Sequence, residues 1–383
     1  MNSLALSCIV LARRAALFPF LVLLLAHTVS TEAQTAEESP RGGGDRPGAG
    51  LIYYAKADFA FADNKAVIAN PHICGALFQV IWSQVEQRDG ECDWSELDRW
   101  IQPWLDGHKQ VAIRLMWSTS GNWPKPYYKT PTPAWVWQAG AKFAFHQQSR
   151  TEMPLIWDPI YQQYAWRFME RLAARYDGNP NILFVDVTPG AETNPYRFMA
   201  INRTTPGFKD EFVKIKTSDG RMYDEELWLG TIKQWVDASA RTFKRTPLLV
   251  TLNVGGMQAR DRSVVIGDYC VARGFYVGQN GLSGSSYRSL GTGRSAAFIR
   301  WSQQTKLFFE MVAGTGGRTG TLMEVMKAAE RIHCSYLNVY PEDVLRGTRG
   351  LPQFDPAYEE ALAYGARVLS SGTTSVSEKA EER

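Results

Sequence analysis

Histidine is scarce in this 383-residue chain, with five in all. None forms an H-x-H or H-E-x-x-H pattern, so a histidine-based metal hydrolase is excluded. No G-x-S-x-G elbow is present either, because Gly281-Leu-Ser-Gly-Ser285 breaks the pattern at its final position. A phosphate-binding P-loop is missing. Gly291-Thr-Gly-Arg-Ser-Ala296 formally fits G-x-G-x-x-A but sits in a Gly/Ser-rich stretch with no strand leading into it, which argues against a dinucleotide site. Basic residues are dispersed, no Lys/Arg block occurs and the formal net charge is only +3, so no strong field points to nucleic acid. Cys74, Cys92, Cys270 and Cys334 include no C-x-x-C pair, which leaves no structural zinc site. In an exported chain these four could form two disulfides by three alternative pairings.

Long apolar runs are also lacking. Arg13 and Arg14 precede the stretch Ala15 to Ala26, which is about a dozen residues with Pro19 inside it, short of the roughly 20 that span a bilayer. Small residues follow at Ser30 and Ala33, and residues 1–33 read as a secretory signal. The expected location is secreted or extracytoplasmic, with no membrane association after cleavage. Residues 34–50 and 370–383 have little to bury and read as a disordered linker and a disordered tail. Residues 51–369 are then one large domain, an ordinary size for an α/β barrel with insertions.

Within that domain strand and helix patterns alternate. Strands are expected at Gly75 to Trp82, Gln110 to Trp117, Asn181 to Val187, Leu248 to Val254, Val271 to Val277, Lys306 to Phe309 and Ser335 to Tyr340. Helices are expected at Asp93 to Leu105, Ile160 to Tyr176, Glu225 to Phe243 and Leu322 to Ile332, and a long loop at Ser118 to Pro159. Continuously apolar strands alternating with helices imply a parallel sheet covered by helices. With the weak strand Leu51 to Tyr54 the count reaches eight, which closes a (β/α)8 TIM barrel.

What remains is a pair of glutamates. Glu192 follows the run Asn181 to Val187, and Glu310 directly follows Lys306-Leu-Phe-Phe309. Strand ends at the carboxyl side are where α/β sheets carry chemistry. Two carboxyl groups so placed can hydrolyse a glycosidic bond, one protonating the leaving oxygen and one working on the anomeric carbon. A carboxyl separation of about 5–5.5 Å gives retention, and about 6.5–9.5 Å gives inversion. Glu342, beside Pro341 and Asp343, is a rival that reads better as a helix-starting acid. Arg114 lies inside a strand and needs an acidic partner, which Asp186 can supply. Sugar faces stack on indoles, making Trp82, Trp117, Trp123, Trp135 and Trp137 candidate binding residues, with core packing the alternative for each.

The stretch Trp82-Ser-Gln-Val-Glu86, Gly90, Asp93-Trp-Ser-Glu-Leu-Asp98 resembles the signature of β-galactosidase-like clan A glycoside hydrolases. Thr132-Pro-Ala-Trp135 and Ala173-Ala-Arg-Tyr-Asp-Gly-Asn-Pro180 are similar to later segments of that clan, in the same order. The resemblance implies a (β/α)8 barrel, a retaining mechanism without a cofactor, acid/base Glu192 after strand four and nucleophile Glu310 after strand seven. It also implies an oligo- or polysaccharide substrate, and Tyr276 resembles the clan's tyrosine that contacts the nucleophile; Asn280, as close to that strand end, and Tyr340 are further candidate substrate contacts. The chain departs from the clan at one point: Ala191 stands where an asparagine normally precedes the acid/base. That departure keeps open a carbohydrate-binding barrel without turnover.

Overall fold

The computed structural model describes residues 49–55, 64–118, 131–146, 150–190, 207–253 and 262–371. The chain divides into two units, Met1–Ser39 and Pro40–Arg383, and every described residue lies in the second.

Eight parallel strands close a barrel: β1 (Gly50–Ala55), β2 (Ile73–Ile81), β3 (Gln110–Met116), β4 (Ile182–Asp186), β5 (Leu248–Thr251), β6 (Tyr276–Leu282), β7 (Leu307–Met311) and β8 (Tyr336–Val339). They neighbour one another in chain order, and β1 pairs with both β2 and β8. The weak strand of the sequence is therefore the one that closes the ring. Helices cover its outside, and seven of the eight strands are buried almost throughout on both faces, which is why they read as apolar runs; β6 is half-buried toward its carboxyl end.

Alternation along each strand sorts side chains between two cores. On β3, Val111, Ile113 and Leu115 point out to the helices, while Ala112 points in. The barrel interior is filled by Ile52, Tyr54, Leu77, Phe184, Phe308 and Tyr336, among others. Glycine is required where strands crowd: a Cβ on Gly278 of β6 would lie 2.1 Å from the Phe308 carbonyl oxygen of β7.

Helix starts follow the expected capping chemistry. Asp158 accepts hydrogen bonds from the Ile160 and Tyr161 amides at the head of the helix Pro159–Tyr176, and Asp224 accepts from Leu227 in front of Glu225–Thr242. Thr321 and Glu324 form a reciprocal capping box before Leu322–Arg331. The helix Ser95–Asp106 stops at Gly107 as read from sequence.

Several expectations need correction. The strand expected at Val271 to Val277 begins only at Tyr276, because Ile266 and Cys270 continue the buried face of a helix, Ser263–Val271, that ends in a turn at Gly274. The long third loop carries a short helix, Ala134–Gln138, and an antiparallel ribbon, Phe143–His146 with Thr151–Pro154. A helix begins inside the Gly291 to Ala296 stretch, at Gly293. Helices Asn64–Ala69, Pro341–Arg346 and Pro356–Ser371 add to those expected, the last running two residues into the expected tail. The four described cysteines are all free thiols, so none of the three disulfide pairings forms. Among the described residues no helix is long and apolar enough to cross a membrane.

Candidate active site

A layer of polar side chains caps the apolar barrel filling at the carboxyl end of the strands. The strand register pairs Gln79 with Arg114 and Arg114 with Asp186. On the other side it pairs Asn280 with Glu310 and Glu310 with Asn338. Each sits at an inward position of its strand, one step above the interior apolar residues.

Arg114 joins the two halves. Its Nε donates to Asp186 Oδ2 at 2.8 Å and its Nη1 to Glu310 Oε2 at 2.6 Å. The Asn338 amide nitrogen donates to the same Glu310 oxygen at 3.0 Å. Asp186 Oδ1 accepts from both the backbone amide and the hydroxyl of Thr188, at 3.1 and 2.6 Å. The guanidinium also lies against the rings of Tyr54 and Phe308, 5.9 and 5.5 Å from their centroids, and Tyr54 accepts a hydrogen bond from Gln79. Burial works against the charge on Arg114, yet Glu310 and Asp186 outweigh it and raise its pKa above the ordinary value. Burial pushes the Asp186 carboxyl up, against the pull of Arg114 and Thr188.

One cation faces two carboxyl groups, so with both ionised the layer carries a net negative charge where strand ends open to the loops. Such a field favours positive charge developing on a bound molecule. Glu310 keeps a side-chain exposure of 9 % against 0 % for Asp186, which makes Glu310 the group that a ligand reaches. Asn338 Oδ1 and Arg114 Nη2 are buried without a hydrogen-bond partner among the described residues.

The other expected site residues divide. Asn280 is level with Glu310, and Tyr340 stands at the end of β8 with its ring edge-on to Tyr54 at 5.4 Å. Glu192 and Trp123 lie outside the described residues. Tyr276 is corrected: it opens β6, beside Phe184 and Tyr336 in the interior, and at about 3.3 Å per residue lies roughly 13 Å below Asn280. Trp82 and Trp117 are also corrected. Both are fully buried between sheet and helices, packed on Phe168 and on each other, and present no face to a ligand. Trp135 and Trp137 are half-buried, with indole nitrogens on the Glu86 carbonyl and the Glu152 carboxylate. Glu342 lies in the first turn of Pro341–Arg346, as a helix-starting acid.

Asn338 and Thr188 were missed by sequence reasoning. The available signal was a polar residue at inward parity in an otherwise apolar strand, as in Tyr336-Leu-Asn-Val339. The pairing of Arg114 with Asp186 was legible by that same signal.

The motif that carried the family resemblance performs a different task. Glu86 is fully buried and accepts from the Trp82 indole, from the Gly90 amide and from Arg171 on the helix Pro159–Tyr176. Gly90 takes a left-handed φ of 86°, which its lack of a Cβ permits. Asp98 reaches the same helix through Arg175 and Tyr176. These residues clip the end of β2 and the following helix to the outer layer.

A groove of about 550 Å³ lies on the outer surface against Trp166, Glu170 and Arg241, away from the barrel mouth. It contains none of the polar-layer residues.

No family model matches the chain, and no curated protein matches it in sequence. Solved structures do match its fold. The catalytic domain of a beta-amylase from Paenibacillus polymyxa superposes with a TM-score of 0.57 and 11 % identity, over 85 % of this chain and 99 % of that one. A beta-galactosidase from Rahnella sp. R3 gives 0.52 and 8 %, and one from Marinomonas ef1 gives 0.51 and 12 %, over 87 % and 83 % of this chain. The chain spans 58 % and 59 % of the length of those two galactosidases. At such identities the likeness is one of fold, and fold alone does not set activity.

Proposed function

We propose that this chain is an exported glycoside hydrolase that cleaves β-glycosidic bonds of a β-galactoside or related oligo- or polysaccharide with retention of configuration. The observation that carries the reading is Glu310: a carboxylate at the carboxyl end of β7, reachable from the mouth, with one oxygen held by Arg114 and Asn338. The polar layer around it and a barrel fold resembling that of two beta-galactosidases support the same reading.

In this mechanism Glu310 attacks the anomeric carbon while the bond to the leaving oxygen breaks, and Glu192 gives its proton to that oxygen. Water then attacks the glycosyl-enzyme ester, gives its proton to Glu192 and frees Glu310. Positive charge builds on the sugar ring in both steps. The excess of carboxylates over cations in the layer stabilises it. Glu192 lies six residues past the end of β4, on the connection that leaves the carboxyl end of that strand.

Aryl β-glycosides, with wild type, Glu310→Gln and Glu192→Gln compared at equal folded concentration, test the proposal. Loss of the nucleophile should reduce kcat on the order of 10⁴-fold. Loss of the acid should cost about 10²–10⁴-fold, most for poor leaving groups. A wild type that binds glycans yet turns over no glycoside refutes hydrolysis and favours the binding barrel that Ala191 keeps in view.

A further inference from the structure

We infer that Asp186 is a positioning residue for Glu310, acting through Arg114 and itself held in place by Thr188. The inference rests on the reading of Glu310 as nucleophile.

A guanidinium is a rigid planar fork, so fixing Nε fixes the direction of Nη1. Asp186 Oδ2 holds Arg114 Nε, and the fork then delivers Nη1 to Glu310 Oε2. With Asn338 on the same atom, Oε2 is anchored by two donors. The attacking oxygen is therefore Oε1, and its aim follows from where Asp186 sits. Arg114 and Asp186 are essentially fully buried, so no solvent molecule substitutes for a lost bond.

The other oxygen of Asp186 faces the opposite way. It takes both donors of Thr188, whose hydroxyl in turn accepts the Thr251 amide of β5 at 2.8 Å. Thr188 is two residues before Gly190, which has a φ of 110°. The same carboxylate thus holds Thr188 at the end of β4 and the orientation of the nucleophile on β7. Asp186 acts in this way with no contact to the sugar required.

A residue that acts in this way should move kcat and leave KM nearly alone, because aim matters in the transition state and little in ground-state binding. The test uses the purified full chain with aryl β-glycosides, alongside thermal melts. Asp186→Asn keeps the shape and removes the charge that holds the fork, and kcat is expected to fall about 10²-fold with KM changed less than about threefold. Thr188→Val removes only the hydroxyl bonds, and kcat is expected to fall roughly fivefold. Formation of the trapped adduct with a 2-deoxy-2-fluoro glycoside should slow in parallel.

A folded Asp186→Asn protein whose kcat stays within about twofold of wild type, or whose loss is confined to KM, overturns the inference. If that variant does not fold, Thr188→Val decides, and an unchanged kcat overturns it. Absence of turnover in wild type overturns the glycosidase reading itself, and full activity in Glu310→Gln overturns Glu310 as its nucleophile. That failure is seen before Asp186 is touched, so the two are distinct.

Discussion

Replacing Arg114 by methionine puts the electrostatics of the barrel mouth to a direct test. Methionine fills much of the space of the arginine stem but leaves Asp186 and Glu310 without their shared cation. Both ion pairs are short and buried, at 2.8 and 2.6 Å. Removing one partner of a buried pair costs about 3–5 kcal/mol, and a cation that serves two carboxylates belongs at the upper end. The cost should depend on pH. Burial raises the Asp186 carboxyl in the folded chain, and Arg114 opposes that rise. A carboxyl whose folded-state pKa exceeds its unfolded value of about 3.9 contributes stability that is complete below the unfolded value and is lost as pH climbs through the folded one. Without Arg114 the folded value climbs further, so the window of loss widens toward neutral pH. Urea unfolding followed by tryptophan fluorescence at about pH 4.5 and about pH 7.5 should show the variant penalised more at the higher pH. A penalty below about 1 kcal/mol at neutral pH, or one equal at both pH values, refutes the reasoning.

Two further substitutions separate scaffold from site. Trp82→Ala should destabilise by about 3–5 kcal/mol, since a fully buried indole is lost, while the folded fraction keeps its KM within about twofold; a selective rise in KM with stability intact would restore Trp82 to the substrate surface. Tyr276→Phe should leave kcat and KM within about twofold, because the hydroxyl sits at the opposite end of the barrel from Glu310; a large loss of kcat in steady-state assays would show that the ring communicates with the mouth.

The barrel was legible because its strands are doubly buried, and a doubly buried strand reads as a continuous apolar run. Even the weak Leu51 to Tyr54 segment fits, since its polar hydroxyls belong to tyrosines that still bury their rings. The sixth strand was misplaced because Val271 and Val277 bracket a turn, and valine suits a strand or the buried face of a helix equally well in so short a span. For the site, parity within a strand carried the information. Arg114 and Asp186 stood out as charges inside apolar strands, which need a buried partner, and the structure pairs them. The tryptophans carried much less. A large aromatic satisfies a core and a sugar face by the same surface chemistry, so Trp82 and Trp117 could be sorted only by knowing which side of the sheet they occupy. Tyr276 failed for a related reason: its distance along the strand from Glu310 depends on register, which composition does not encode.

The Glu86 clamp lies outside the barrel wall, on the helix layer, and the polar layer lies inside it. The clamp is built from helices and the turn after β2, the polar layer from inward strand positions, and they share no side chain. A change in the polar layer therefore need not disturb the joints that hold sheet to helix. The same separation offers a route to engineering. Inward positions on β3, β4, β7 and β8 can be exchanged as a set, leaving those joints untouched.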